Sequence, residues 1–317
     1  MSNLNTTVGK INLKNPILLA SGTCGVAGRE FEPYFKLSEL GGIVTKSLSI
    51  KPRVGNPTPR AVEIPGHGIL NSIGLQNPGI EYFIKNELPY LTEEKATCIV
   101  NIVGETLDDY LQAVDVIKNK SEFSAIELNL SCPNVEGGLD FSQDPKKAFT
   151  VVSEVKKISK ISVWAKLSPN ITDITVIAKA CIEAGIDGLS LINTVLGLVI
   201  NRWTKKPVLP RAVGGYSGPA IKPIALRMIW QTYKQFPNTP IIGIGGIHTT
   251  DDALEFLLCG ASAIQIGTAN FANPKASIEI INGLKDYCEK SKLSSISEII
   301  GQAHSEKVKD KLLTTKI

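Results

Sequence analysis

Six polar residues follow short apolar runs at matching places along the chain: Lys46, Asn71, Asn101, Asn129, Lys166 and Asn193, the last with Thr194 beside it. Asparagine and serine open loops for reasons of turn chemistry alone. Four asparagines and two lysines in equivalent positions go beyond that and point to groups gathered at one end of a sheet. An ammonium carried on an apolar strand needs an anion, because burying it unpaired is costly. For Lys166 that anion is either a core carboxylate such as Glu127 or a bound cofactor or substrate. Ser21 also closes an apolar run, and Ser47 follows Lys46.

Cys132 stands one step beyond a strand end, in NLSCPN, where the following proline fixes the turn. It could serve as nucleophile or base, and either role requires the thiolate. The three histidines, His67, His248 and His304, are not placed to activate it, which argues against a protease-like Cys–His pair. Cys98, Cys181, Cys259 and Cys288 read as small buried hydrophobes, and Cys24, in SGTCG, stays open. No C-x-x-C occurs, so no zinc knuckle or iron–sulfur cluster of the usual spacing, and no metal site, is expected on this chain. A third group is made of glycines. GIGGI at 243–247 and IGT at 266–268 place Gly245, Gly246, Gly267 and Thr268 where backbone N–H groups can approach an anion. Gly218, in GGYSGP ahead of a helix, could add a further donor, although such glycines also serve turns alone.

These groups need a scaffold that brings strand ends together. Apolar, β-branched runs at 16–20, 42–46, 97–102, 125–130, 162–167, 188–192, 240–244 and 263–266 alternate with segments of helical spacing. In 105–118 the apolar positions fall on one face. Asp144-Pro145 caps a helix with Phe149, Val152, Val155 and Ile158 facing inward, and Thr172-Asp173 and Thr250-Asp251 start helices that stop at Gly185 and Gly260. EAGIDGLSLIN (183–193) and LCGASAIQIGT (258–268) form a faint repeat of helix end, glycine and buried strand. Continuous apolar strands after helices indicate a covered parallel sheet. Eight of them predict an α/β fold of the (β/α)₈ TIM-barrel type with an N-terminal extension; no G-x-G-x-x-G follows a strand, against a dinucleotide fold. The Gly/Pro-rich stretch 47–80 is too long for a plain connection and is expected as an excursion over the C-terminal face of the barrel, unless disordered. No linker is visible, so residues 1–317 read as one domain.

With 317 residues, 43% of them hydrophobic and 20% charged, the composition is that of a globular protein. A net charge of +4 gives little support to a nucleic-acid partner. No apolar run reaches the roughly 18 residues of a membrane span, and the N-terminus lacks a signal-peptide pattern. A reduced, cytoplasmic protein is expected.

The chain resembles the catalytic subunits of the dihydroorotate dehydrogenase family, specifically the NAD-linked class 1B type. KSLSIKPRVGNPTPR, LNSIGLQNPG, IELNLSCPN, AKLSP, INT, GGYSGPAIKP, IGIGGI and IGTANF carry the resemblance, which runs from NPILLASGT to GTANF. It implies FMN in a (β/α)₈ barrel and oxidation of dihydroorotate to orotate in pyrimidine synthesis. Cys132 would be the base at C5, with hydride leaving C6 for the flavin. FMN would contact Ser21, Lys46, Ser47, Asn101, Asn129, Lys166 and Ile192, with its phosphate on Gly218, Gly245, Gly246, Gly267 and Thr268. Lys46, Asn71, Ser72, Ile73, Gly74, Leu75, Asn129, Asn193 and Thr194 would hold the substrate, whose alternating C=O and N–H groups suit amides. Electrons would pass to NAD through a partner subunit carrying FAD and a [2Fe–2S] centre, in a heterotetramer built on a homodimer of this chain. The alternatives are a self-sufficient homodimer reducing fumarate, a flavin barrel acting on uridine in transfer RNA, and a phosphate-binding barrel without redox chemistry.

Overall fold

The computed structural model describes residues 3–66, 68–131 and 141–305. Eight strands close a parallel barrel in strict chain order: β1 (Ile17–Leu19), β2 (Gly42–Val44), β3 (Cys98–Ile102), β4 (Phe123–Asn129), β5 (Ser162–Leu167), β6 (Gly188–Leu191), β7 (Ile241–Ile244) and β8 (Ala263–Ile266). The expected (β/α)₈ architecture is therefore present. Helices Leu107–Ile117, Pro145–Ile158, Ile174–Glu183, Lys222–Gln235, Thr250–Cys259 and Ala276–Lys290 supply most of the outer layer. Between β1 and β2 two short 3₁₀ turns, Arg29–Phe31 and Leu37–Glu39, stand where a helix would be.

The helix starts follow capping chemistry. Thr106 and Asp109 form a reciprocal capping box, Asp144 accepts from the Lys146 and Lys147 amides, and Asp173 accepts from Thr175. Gly260 ends its helix in the left-handed region at φ 117°. Phe149 departs from expectation: Ala148, Val151, Val152 and Val155 are buried, whereas Phe149 is exposed. The buried set has spacing i, i+3, i+4, i+7, and Phe149 lies one residue, about 100°, off that stripe.

Two layers fill the barrel. At the N-terminal end Leu18, Val44, Ile99, Ala125, Trp164, Ile242 and Ala263 cluster with Val8 and Leu13 from an antiparallel hairpin, Thr6–Val8 and Ile11–Leu13. This is the N-terminal extension, and it plugs the bottom. Gly188 makes room for the Trp164 indole, since a Cβ there would lie 3.1 Å from its ring. Two residues further along the strands the alternation of side chains brings a polar layer to the same interior face. Asn101, Glu127, Lys166, Ser190 and Gln265 belong to it, and all are buried.

The 47–80 excursion is ordered wherever it is described, and it forms strands. Ala61–Ile64 pairs with Gly68–Asn71, which pairs with Val213–Ser217 and through it with Val195–Leu198 in a four-stranded antiparallel sheet. The strands at 195–198 and 213–217 were not expected from the sequence. The sheet packs closely because it is rich in glycine: a Cβ on Gly214 would meet the Asn71 carbonyl at 2.7 Å, and one on Gly215 the Thr194 hydroxyl at 2.2 Å.

Candidate active site

The polar layer opens into a cavity of about 980 Å³ at the C-terminal end of the barrel, bounded on the far side by the four-stranded sheet. Of the expected flavin and substrate residues, Ser21, Lys46, Ser47, Asn129, Lys166, Ile192, Gly218, Gly245, Gly246, Gly267 and Thr268 all line it. So do Asn71, Ser72, Ile73, Gly74, Leu75, Asn193 and Thr194. Asn101 does not. It is 1% exposed within the polar layer, and its amide donates to Glu127 at 2.7 Å. It is the next-to-last residue of β3, and its amide is engaged by Glu127 instead of lining the cavity. Cys132 and His67 lie outside the described residues.

Hydrogen bonds join the strand ends. Asn193 donates to Asn129 Oδ1 at 3.3 Å, and Asn129 donates to Ser47 Oγ at 3.4 Å, while the Tyr110 hydroxyl fixes the Asn129 carbonyl at 2.7 Å. From the covering sheet Asn71 donates to the Gly215 carbonyl at 3.2 Å. Asn170, absent from the sequence reading, braces the 194–196 segment: it donates to the Thr194 carbonyl at 3.1 Å and accepts from the Leu196 amide at 2.9 Å.

The two lysines differ in surroundings. Lys166 has Glu127 at 3.8 Å, so the core ion pair weighed from the sequence is real. Lys46 has no ion-pair partner among the described residues. Burial pushes its ammonium below the usual lysine range, and the neighbouring Cys24 pulls weakly the other way. None of the described residues lining the cavity is an aspartate or glutamate. An anionic ligand would meet Lys46 without competition. Cys24 is resolved as structural: burial pushes its thiol up to about 12, and it rests against the Ala20 and Val44 carbonyls.

Opposite the lysines, backbone replaces side chains. Gly218, Gly245 and Gly246 have φ of 120°, 125° and 75°. A Cβ on Gly246 would meet the Lys222 backbone nitrogen at 2.8 Å, so only glycine fits. Lys222 itself is held away by Asp252 at 2.7 Å and Glu255 at 2.9 Å. Charge for an anion here would come from peptide N–H groups and the start of the Lys222–Gln235 helix.

A family model for dihydroorotate dehydrogenase matches residues 3–288, and so covers both the barrel and its covering sheet. The chain belongs to the dihydroorotate dehydrogenase family. Among relatives, the protein named dihydroorotate dehydrogenase B (NAD(+)), catalytic subunit, from Geotalea uraniireducens is 48% identical over 299 residues, 94% of this chain and 97% of that one. The protein of the same name from Desulforamulus reducens is 48% identical over 303 residues, 95% and 99% of the two chains. That from Pelobacter propionicus is 49% identical over 292 residues, 92% and 95%.

In this dihydroorotate dehydrogenase family member the sequence reading missed two floor residues. Gln265 lines the cavity, fully buried, with its Oε1 free of any partner among the described residues. Ser190, on β6, donates to Glu127 at 2.6 Å across the barrel interior. Both were detectable as polar residues inside otherwise apolar strands, GLSLI and AIQI. A ligand with a phosphate at one end and a ring bearing donors and acceptors at the other matches the cavity: glycine backbone for the phosphate, and Gln265, Asn129, Asn193 and the lysines for the ring.

Proposed function

We propose that this chain is the FMN-bearing catalytic subunit of an NAD-linked dihydroorotate dehydrogenase, oxidising dihydroorotate to orotate in pyrimidine biosynthesis. The observation that carries the reading is the cavity itself, in which a glycine-lined backbone cradle faces an amide array and an ammonium, Lys46, that has no counter-ion among the described residues. FMN, when bound, supplies the acceptor for the hydride that leaves C6 of the substrate. Gly218, Gly245, Gly246, Gly267 and Thr268 hold its phosphate, and Ser21, Ser47, Lys166, Ile192 and Gln265 hold its ring. Asn101 acts on that ring only from below, through Glu127.

Lys46 serves both ligands by offering charge to the anionic substrate and the flavin. Asn71, Asn129, Asn193 and Thr194 orient the pyrimidine ring, and the 71–75 segment closes over it and excludes water. Cys132 takes the C5 proton; in the sequence it stands three residues after Asn129, in NLSCPN. Residues 1–317 then form a single FMN domain of a cytoplasmic enzyme. A partner subunit with FAD and a [2Fe–2S] centre takes the electrons on to NAD, in a heterotetramer assembled on a homodimer of this chain. The test is orotate formation by the purified chain loaded with FMN, with ferricyanide, fumarate or NAD as acceptor. Turnover with ferricyanide and none with NAD until the partner is added is the expected pattern. Efficient fumarate reduction by the chain alone would instead make it the self-sufficient homodimer, and no orotate with any acceptor would overturn the reading.

A further inference from the structure

One buried acid enters the account above only as the partner of Asn101 and Lys166. Glu127 is 0% exposed inside the barrel, yet it touches residues from four other strands. Its Oε1 accepts from Asn101 of β3 at 2.7 Å. Its Oε2 accepts from Ser190 of β6 at 2.6 Å and from Gln265 of β8 at 2.5 Å. The Lys166 ammonium of β5 lies 3.8 Å from Oε1. Every neighbour named here is a donor, so the carboxylate has all it needs as a pure acceptor. A charge this deep, tied to this many strands, is not required to close a barrel, because an apolar residue of similar volume packs as well or better.

We propose that Glu127 is a positioning residue that acts through Lys166. It is the counter-ion that fixes the Lys166 ammonium under the ring site and cancels most of its charge. The inference rests on the FMN reading given above. A reduced flavin is more anionic than an oxidised one, so a bare cation at that place would favour the reduced form, and a neutralised pair favours it less. Glu127 thereby lowers the driving force for flavin reduction by substrate while easing delivery of electrons onward. Hydrogen bonds from Ser190 and Gln265 hold the carboxylate against drifting to a closer contact with the lysine.

The two functions of the carboxylate, structural and electrostatic, separate in one quantity: the ratio of the FMN dissociation constants for the oxidised and reduced states. A structural defect weakens both alike, whereas a change of charge moves the ratio. Glu127→Gln is close to isosteric. Asn101 can still donate to its oxygen, the Ser190 hydroxyl can turn to accept, and Gln265 can present its unpartnered Oε1 to the new amide. The measurement is an anaerobic FMN titration of the deflavinated full chain in both redox states.

E127Q is expected to raise the oxidised-to-reduced ratio at least tenfold, which for a two-electron couple is an upward shift of about 30 mV. K166Q should lower the ratio, and E127Q/K166Q should return it near the wild-type value. Should E127Q fail to fold, the fall in K166Q and its recovery in the double variant carry the same test: in K166Q the Glu127 carboxylate keeps its Asn101, Ser190 and Gln265 donors, and the double variant removes both partners of the pair. A ratio unchanged by E127Q, parallel loss of both affinities, or a double variant that stays with K166Q would overturn the proposal. A wild-type chain that binds no FMN in either state would overturn the functional reading itself, and this inference with it.

Discussion

Lys46 and Lys166 bring the same charge to one cavity, but among the described residues only Lys166 meets a carboxylate. Burial depresses Lys46, so without ligand its charge is a standing penalty on the fold. That penalty is complete below its folded pKa and disappears as pH rises towards the ordinary lysine value, because the unfolded chain there binds the extra proton. Lys46→Met should therefore stabilise the FMN-free protein by about 0.5–2 kcal/mol near neutral pH, while weakening FMN and substrate binding. Urea denaturation and flavin titration of the same preparation check both halves, and a destabilised variant would contradict the account of Lys46. Cys132→Ala should keep bound FMN but slow its reduction by dihydroorotate by about 10²–10⁴-fold in stopped flow, the usual loss for a general base. An unimpaired variant would remove Cys132 from the chemistry. At this scale the sequence revealed the residues that end strands, because each stands out after an apolar run. It showed Gln265 and Ser190 as polar residues inside apolar strands, but not that they share one carboxylate, which depends on the closure of the barrel.

The barrel strands carry a two-step code, an apolar plug residue followed two positions later by a floor residue: Ile99 then Asn101, Ala125 then Glu127, Trp164 then Lys166, Ala263 then Gln265. The repeat at 183–193 and 258–268 expresses it twice, since Ser190 and Gln265 occupy equivalent places and both donate to Glu127. Trp164→Ala should cost about 3–5 kcal/mol in chemical denaturation, because Gly188 beside it leaves nothing to fill the space. A loss below about 1 kcal/mol would mean that the plug is not packed as described. Gly246→Ala places a Cβ 2.8 Å from the Lys222 backbone at φ 75°, so the cradle must shift. FMN affinity should fall at least about tenfold, or 1.4 kcal/mol, with little change in strand stability. Equilibrium dialysis reads that directly, and full affinity would show that the phosphate lies elsewhere. The eight strands and most helices could be read from apolar runs and caps. The covering sheet could not, since its strands are short and glycine-rich and pair across more than a hundred residues, as Asn71 does with Gly215.

For the whole molecule, the N-terminal hairpin closes one end of the barrel, so ligands enter from the opposite end, where sheet and strand ends meet. No helix among the described residues is long and apolar enough to cross a membrane. The cavity of about 980 Å³ lies at that open end. FMN binding should raise the stability of the folded chain by the logarithm of its saturation, about 2.7 kcal/mol at a hundredfold excess over Kd. Thermal unfolding with and without FMN measures it, and an unchanged midpoint would deny the site. The central claim is that this cavity binds FMN and passes it the hydride of dihydroorotate. The most direct test is the visible spectrum of the purified, FMN-loaded chain, recorded anaerobically before and after adding dihydroorotate. A flavin band that bleaches is the predicted result; a band that persists at saturating substrate would contradict the assignment.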